Sequence, residues 1–138
     1  MTGPSIRLGT ICLDCSDAHE MAQFYGGLLG WESTATETDW VLMRDPEGGV
    51  GLSFQAEPGF VAPVWPEEPG EQQKMIHLDI RVTPADPEAD LDGDAGQEAL
   101  DAAARVATAL GGRLADQPRT DLRVVLDPAG HPLCLFLH

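Results

Sequence analysis

The chain has 138 residues, which suits one domain with a sizeable core and is short for two independent domains of ordinary size. Hydrophobic residues make up 43% and charged residues 22%, a composition typical of globular proteins and not of disordered ones. The formal charge of -15, from 23 acidic and 8 basic residues, repels polyanions and argues against nucleic acid and membrane surfaces as partners.

The sequence gives two indications of the compartment. It has neither a run of about 18 apolar residues nor the basic-then-apolar start of a secretory signal. Its cysteines, Cys12, Cys15 and Cys134, are odd in number and form no CxxC pair, which favours reduced thiols over a disulfide framework. We therefore expect a cytoplasmic location.

The predicted elements of the first half begin with a strand and a helix. Alternating residues predict a strand over residues 6–15, and Met21, Phe24 and Leu28 lie at helical spacing in the segment that follows. Asp17 is suited to begin this helix and Gly30 to end it. Three further strands are expected at residues 31–36, 40–43 and 50–54. The first half thus predicts a βαβββ module.

The second half repeats this order. A helix should end at Gly112, and strands are expected at residues 75–82, 113–115, 122–126 and 133–138. Before the last strand of each module lie matching turns, Asp45-Pro46-Glu47-Gly48 and Asp127-Pro128-Ala129-Gly130. Each turn begins 15 residues after the glycine that ends its helix. We therefore predict one α+β domain of two βαβββ modules, at about residues 5–55 and 75–138.

The segment between the modules differs from both of them. Residues 56–74 contain four prolines, which exclude a central strand or a long helix and predict an extended linker. Trp65 either pins this linker by packing or belongs to a flap over a cavity. A second irregular segment, the acidic residues 84–96, is predicted to be a loop before the second helix.

Several motifs together resemble a known superfamily. They are Leu13-Asp14-Cys15-Ser16-Asp17, Phe24-Tyr25-Gly26-Gly27-Leu28-Leu29-Gly30-Trp31, Ile76-His77-Leu78-Asp79-Ile80 and the two Asp-Pro-x-Gly turns. The chain resembles the vicinal oxygen chelate superfamily, which contains glyoxalase I, bleomycin resistance proteins and extradiol dioxygenases, and within it the branch of glyoxalase-like domains. The resemblance implies that the two modules form a curved mixed sheet, a half-barrel, and that the protein is a homodimer. It does not by itself give the function.

The resemblance also implies four positions that hold a divalent metal ion, on the first and last strands of each module. They are occupied here by Thr10, Leu52, His77 and Cys134, of which Leu52 and Cys134 each lie seven residues after the Asp of their turn. A catalytic metal generally needs about three protein ligands, and only His77 is a strong candidate because Leu52 has no donor atom. We therefore predict no metal. A reduced site for Zn, Ni or Fe around His77 and Cys134, completed by Cys12 or Asp79, stays open as an alternative.

The residues expected on the concave face of the half-barrel predict a pocket. Strand alternation assigns to it Thr10, Cys12, Leu52, Phe54, His77, Asp79, Cys134 and Phe136, and Trp40 and Trp65 extend it. Such a lining, mostly apolar with a few polar groups, is typical of small-molecule sites. We therefore predict a metal-independent protein that binds or sequesters a hydrophobic or aromatic ligand, with an acidic surface that would help to attract a cation.

Two other functions stay open from the sequence. One is a metal-dependent lyase or isomerase of glyoxalase type, with catalytic candidates His77, Asp79 and Cys134: an imidazole base beside a carboxylate, or a thiol nucleophile. The other is a protein-interaction module in which Leu52 and Phe54 fill the cavity.

Overall fold

Each half of the chain forms one four-stranded mixed sheet and one helix in a computed structural model. The structure describes residues 3–115 and 121–137, and the chain divides into two compact units, Met1–Phe60 and Val61–His138. The first unit contains β1 (Thr10–Cys15), α1 (Ala18–Leu29), β2 (Ser33–Thr36), β3 (Trp40–Met43) and β4 (Gly51–Ala56). The second contains β5 (Leu78–Arg81), α2 (Asp94–Ala109), β6 (Arg113–Leu114), β7 (Leu122–Leu126) and β8 (Pro132–Phe136). The predicted α+β class and the two βαβββ series are confirmed.

The first helix begins and ends as its sequence predicts. The Asp17 side chain accepts hydrogen bonds from the backbone N–H groups of His19 and Glu20, at 3.0 and 3.1 Å, which satisfies donors that have no partner within the helix. Gly30 ends the helix with a φ of 71°, a left-handed conformation that glycine adopts without a steric penalty. These two residues therefore fix where α1 meets the strands on either side.

The first sheet has the order β1-β4-β3-β2, with β1 and β4 parallel and the other neighbours antiparallel. Helix α1 packs against β1, β3 and β4. The core between helix and sheet is apolar, and its fully or almost fully buried members are Leu13, Cys15, Met21, Phe24, Tyr25, Val41, Met43, Leu52 and Phe54. Burying this surface is the main favourable term for the unit. In either unit, the face of the sheet opposite the one on which its helix packs is named here the helix-free face.

The second unit repeats this plan with a longer helix. Its sheet has the order β5-β8-β7-β6, and α2 packs on one face with Leu100, Ala104 and Ala107 buried. The helix begins at Asp94, inside the segment 84–96 that was predicted to be a loop, because an acidic residue suits the first turn of a helix and Gln97 and Glu98 favour its continuation despite Gly96. On the same side, Arg123 of β7 binds Asp101 and Gln97 of α2 at 3.0 and 2.9 Å.

The predicted bounds of several strands are too wide. Strand β1 begins at Thr10 and β5 at Leu78, and the apolar residues before them are exposed instead of paired: Ile6 (91%), Leu8 (69%) and Met75 (84%). The predicted end of the last strand, His138, lies outside the described residues. No described residue between β4 and β5 is in a helix or strand. None of the helices in the described ranges has the length and apolar character needed to cross a membrane.

The two Asp-Pro-x-Gly turns are built alike and differ in length. Asp45 accepts hydrogen bonds from the N–H groups of residues 47 and 49, and Asp127 from those of residues 129 and 131. Gly48 and Gly130 both have positive φ, 84° and 93°. Met43, two residues before Asp45, pairs with Leu52, which lies seven residues after that Asp. Val125, two residues before Asp127, pairs with Leu133, which lies only six residues after it. The first turn is therefore one residue longer than the second.

Candidate functional site

The helix-free face of the second sheet collects the polar residues of the second unit. Asp79 and Arg81 of β5 pair with Cys134 and Phe136 of β8, so these four side chains share one face. His77 precedes β5 by one residue and, by alternation, points to the same side. Helix α2 covers the other face. The predicted co-location of His77, Asp79, Cys134 and Phe136 within this unit is thus what the register gives.

Three of these side chains converge on one point. His77 Nε2 lies 3.5 Å from Asp79 Oδ1, and one donor atom each of His77, Asp79 and Cys134 lies within 4.8 Å of the others. The side chains of His77 and Asp79 are 43% and 62% exposed, so the cluster is accessible from solvent. An imidazole, a carboxylate and a thiol so arranged can hold a divalent cation such as Zn²⁺, or bind the polar part of an organic molecule.

The first-unit candidates divide between the two faces of their sheet. Thr10 and Cys12 lie on the helix-free face, beside Gly51 and Ser53 of β4. Trp40 pairs with Gln55 and is half-buried on that same face. The β4 residue beside Cys12 is therefore Ser53, which carries a hydroxyl group. The sequence had predicted the apolar Leu52 and Phe54 on this face.

The prediction that Leu52 and Phe54 share the face of Thr10 and Cys12 is wrong. Phe54 is fully buried, and its ring stacks on Tyr25 of α1 with a centroid distance of 5.5 Å and an interplanar angle of 11°. Leu52 pairs with Met43 and is 5% exposed on the same side. The physical reason is the additional residue in the first turn, because a shift by one residue moves every side chain of a strand to the other face.

Trp65 lies in the segment between β4 and β5 and belongs to the second unit. The Lys74 ammonium group lies 4.2 Å from its ring centroid and 2.6 Å from the Glu67 carboxylate. The indole N–H is buried and finds no hydrogen-bond partner among the described residues. The aromatic face of Trp65 is thus already in contact with a cation of the protein itself.

Two cavities lie away from the residues of the candidate site. One, of about 330 Å³, lies between α1 and strands β2 and β3, where His19, Gln23 and Trp31 are among its lining residues. The other, of about 170 Å³, lies in the second unit beside the loop before α2, against Val82 and Leu137. The sequence motifs pointed to neither.

Arg81 is a member of the second helix-free face that the sequence reasoning missed. It is exposed, and its guanidinium carbon lies 5.4 Å from the centroid of Phe136. The signal was present, because the alternation that joins His77 to Asp79 continues to Arg81.

Comparison with known families agrees with this architecture. The sequence model of the family described as "Glyoxalase-like domain" matches residues 10–136. The chain belongs to this family. The match spans both units, from the first residue of β1 to the last residue of β8.

Solved structures with the same fold come from several bacteria. A glyoxalase/bleomycin resistance protein/dioxygenase family enzyme from Burkholderia phytofirmans PsJN is 16% identical, with 94% of this chain and 97% of that chain covered and a TM-score of 0.66. A possible glyoxalase from Bacillus cereus is 14% identical, with 96% and 99% covered and a TM-score of 0.61. The oxidase ChaP-H2 is 16% identical, with 98% and 95% covered and a TM-score of 0.60. At these identities the likeness shows the fold alone. The search of curated proteins returned no match.

Proposed function

We propose that this glyoxalase-like protein binds a small organic molecule on the helix-free face of its second sheet. The observation that carries the proposal is the convergence of His77, Asp79 and Cys134 on a solvent-accessible sheet face that α2 leaves uncovered. Phe136, half-buried on the same face, adds an apolar surface beside these polar groups. A few convergent polar groups beside apolar surface are what small-molecule sites generally offer.

Ligand binding at this face can be tested with matched histidine variants. Native mass spectrometry of freshly purified protein looks for a co-purifying compound, and ligand-observed NMR screens a set of aromatic fragments. We expect His77→Ala and Cys134→Ala to weaken binding of the fragments that hit. His19→Ala removes the same side chain from the lining of the cavity between α1, β2 and β3, and should leave hits at the second sheet unchanged. Hits that respond to His19→Ala and not to the other two variants would refute this location.

A second candidate function is favoured by the same cluster, which offers one nitrogen, one oxygen and one sulfur ligand. This donor set fits Zn²⁺ or a related divalent ion, such as Ni or Fe, with a position left for water or substrate. A metal bound there would supply Lewis acidity to a carbonyl or enediol oxygen, as a glyoxalase-type lyase or isomerase needs. In that case His77, Asp79 and Cys134 would hold the ion, and Arg81 and Phe136 would orient the substrate.

Metal analysis separates the two candidates. Protein purified without chelator is assayed for metal content, and then for fragment binding before and after chelator treatment. Stoichiometric Zn, Ni or Fe that is lost on His77→Ala supports the enzyme. Fragment binding that survives removal of all metal supports the metal-independent binding protein, which is our first choice.

The interaction-module alternative is less favoured by the arrangement of the first unit. It required Leu52 and Phe54 to fill a cavity, and Phe54 instead fills the core under α1.

We also propose that the protein is a homodimer, because Ile6, Leu8 and Met75 are strongly exposed beside the edge strands β1 and β5. Light scattering tests this: Met75→Ser should weaken the dimer, and Leu114→Ser, which alters another exposed leucine, should not. A monomer at all concentrations would refute it. The cytoplasmic location stays an expectation from the sequence.

A further inference from the structure

The helix-free face of the second sheet carries an arginine that none of the described acidic residues pairs with. Arg81 is exposed, and within the described parts of the chain it makes no ion pair or hydrogen bond through its side chain. What sets Arg81 apart from the other exposed arginines is its place, two residues from Asp79 on the same strand face and in contact with the ring of Phe136. The nearest acid along the strand on the same face, Asp79, lies instead 3.5 Å from His77.

The contact with Phe136 leaves the hydrogen-bonding edge of the guanidinium group unused. The guanidinium carbon lies 5.4 Å from the ring centroid, so the ring contributes a cation–π contact without accepting any N–H group. A planar guanidinium with free N–H groups matches the two oxygens of a carboxylate, and such pairs are among the strong hydrogen bonds in proteins. The ring beside it offers a surface for the flat part of the same ligand.

We infer that Arg81 and Phe136 form the anion-binding end of the ligand site, and that the ligand is a flat organic molecule with one carboxylate group. This inference rests on the proposed binding function. Residues on one face of a strand repeat every ~6.6 Å, so His77 and Arg81 are ~13 Å apart along β5. A carboxylate held by Arg81 places the flat part of the ligand over Phe136 and directs its other end towards the cluster at His77.

The charge of the ligand follows from the balance of charges on this face. A cationic ligand would be attracted by the net charge of -15 but would meet Arg81 on the same face. A dianion such as a phosphate ester would find one positive group at Arg81 and the carboxylate of Asp79 two residues away, because the other arginine that the register places on this face, Arg113, lies on the opposite edge strand β6. A monoanion needs only the one guanidinium group that β5 presents. Arg81 therefore favours a ligand with one carboxylate group, although the net charge of -15 on the whole protein repels anions.

Three isosteric probes test this inference: benzoate, benzamide and benzamidine, which carry negative, zero and positive charge. Each is titrated into isotopically labelled protein, and the amide signals of Asp79, Cys134 and Phe136 are followed by NMR. We expect benzoate to bind at least about tenfold more tightly than benzamide, the size of one good charge-assisted pair. Arg81→Gln should remove this preference and Arg81→Lys should retain part of it. Arg105→Gln, on the exposed surface of α2, makes the same charge change elsewhere and should leave it intact.

The outcomes separate the inference from the function on which it rests. Benzamide or benzamidine binding as tightly as benzoate, or a benzoate preference that survives Arg81→Gln in a variant with a native-like spectrum, overturns the inference and leaves small-molecule binding in place. No shift of the three amide signals with any probe, at concentrations well above those typical of fragments, overturns both.

Discussion

Phe54 and Phe136 occupy matching positions after the two Asp-Pro turns, yet they face opposite sides of their sheets, and this difference can be measured. Phe54 is fully buried against Tyr25, so Phe54→Ala removes a whole core side chain and should cost about 3–5 kcal/mol of the free energy of unfolding. Phe136 is half-buried and contacts Arg81, so Phe136→Ala should cost only about 1 kcal/mol. The expected gap is therefore at least about 2 kcal/mol.

Urea denaturation measures this gap. With a slope of about 1–3 kcal/mol per molar urea, Phe54→Ala should lower the midpoint by about 2 M and Phe136→Ala by about 0.5 M. Domains of this size are stable by only about 5–15 kcal/mol, so Phe54→Ala can approach the limit of folding. The milder pair Phe54→Leu and Phe136→Leu then keeps the comparison usable, with the same order expected. Equal losses at the two positions, or a larger loss at Phe136, would refute the assigned register of β4.

Three further predictions concern the carboxylate of the second turn, the two cysteines of β1 and the length of the first turn. Asp127→Ala should lower the free energy of unfolding by about 2–3 kcal/mol, measured by urea denaturation, because a buried carboxylate loses two backbone N–H partners; Asp127→Asn, which keeps an acceptor oxygen, should cost less. Thiol labelling followed by mass spectrometry should modify exposed Cys12 well before fully buried Cys15, and the reverse order would contradict the facing of β1. Deleting Gly49 shortens the first turn by one residue and should unfold the first unit or shift β4 in register, which loss of native NMR signals would report; a deletion variant with wild-type stability would count against the turn-length argument.

The arrangement of elements could be predicted because local signals agreed with one another. The capping carboxylate of Asp17, the left-handed Gly30 and the apolar stripe of α1 all mark the same helix. The Asp-Pro-x-Gly turns fix the hairpins before β4 and β8 through hydrogen bonds from the Asp side chain to its own turn. Each of these features depends on residues within a few positions of one another, so a single sequence suffices to recognise it.

The side of the sheet to which each strand residue points could not be predicted as reliably. Counting seven residues from each Asp assigned Cys134 to the helix-free face, and this is the face on which it pairs with Asp79. The same count assigned Leu52 to the wrong face, because Gly48 and Gly49 together lengthen the first turn before the ladder resumes. Turn length sets the register, and a glycine pair is compatible with more than one length. The apolar character of Leu52 and Phe54 indicated the correct face better than the count did, because apolar residues at alternating positions of a strand suit the core.

The position of Leu52 in the core changes which side chains decide whether a metal ion can bind. In the sequence, an aliphatic Leu52 at an expected ligand position indicates that no metal binds, but Leu52 lies on the helix side of its sheet and could not donate whatever its side chain. The set that the sequence left open, His77 and Cys134 completed by Asp79, is the one that the structure brings together, because β5 and the residue before it present both His77 and Asp79 towards Cys134. A single unit thus offers three donors without any contribution from the first. Whether the site holds an ion or an organic ligand therefore depends on these three side chains and on Arg81 beside them, and not on the residue that happens to stand at position 52.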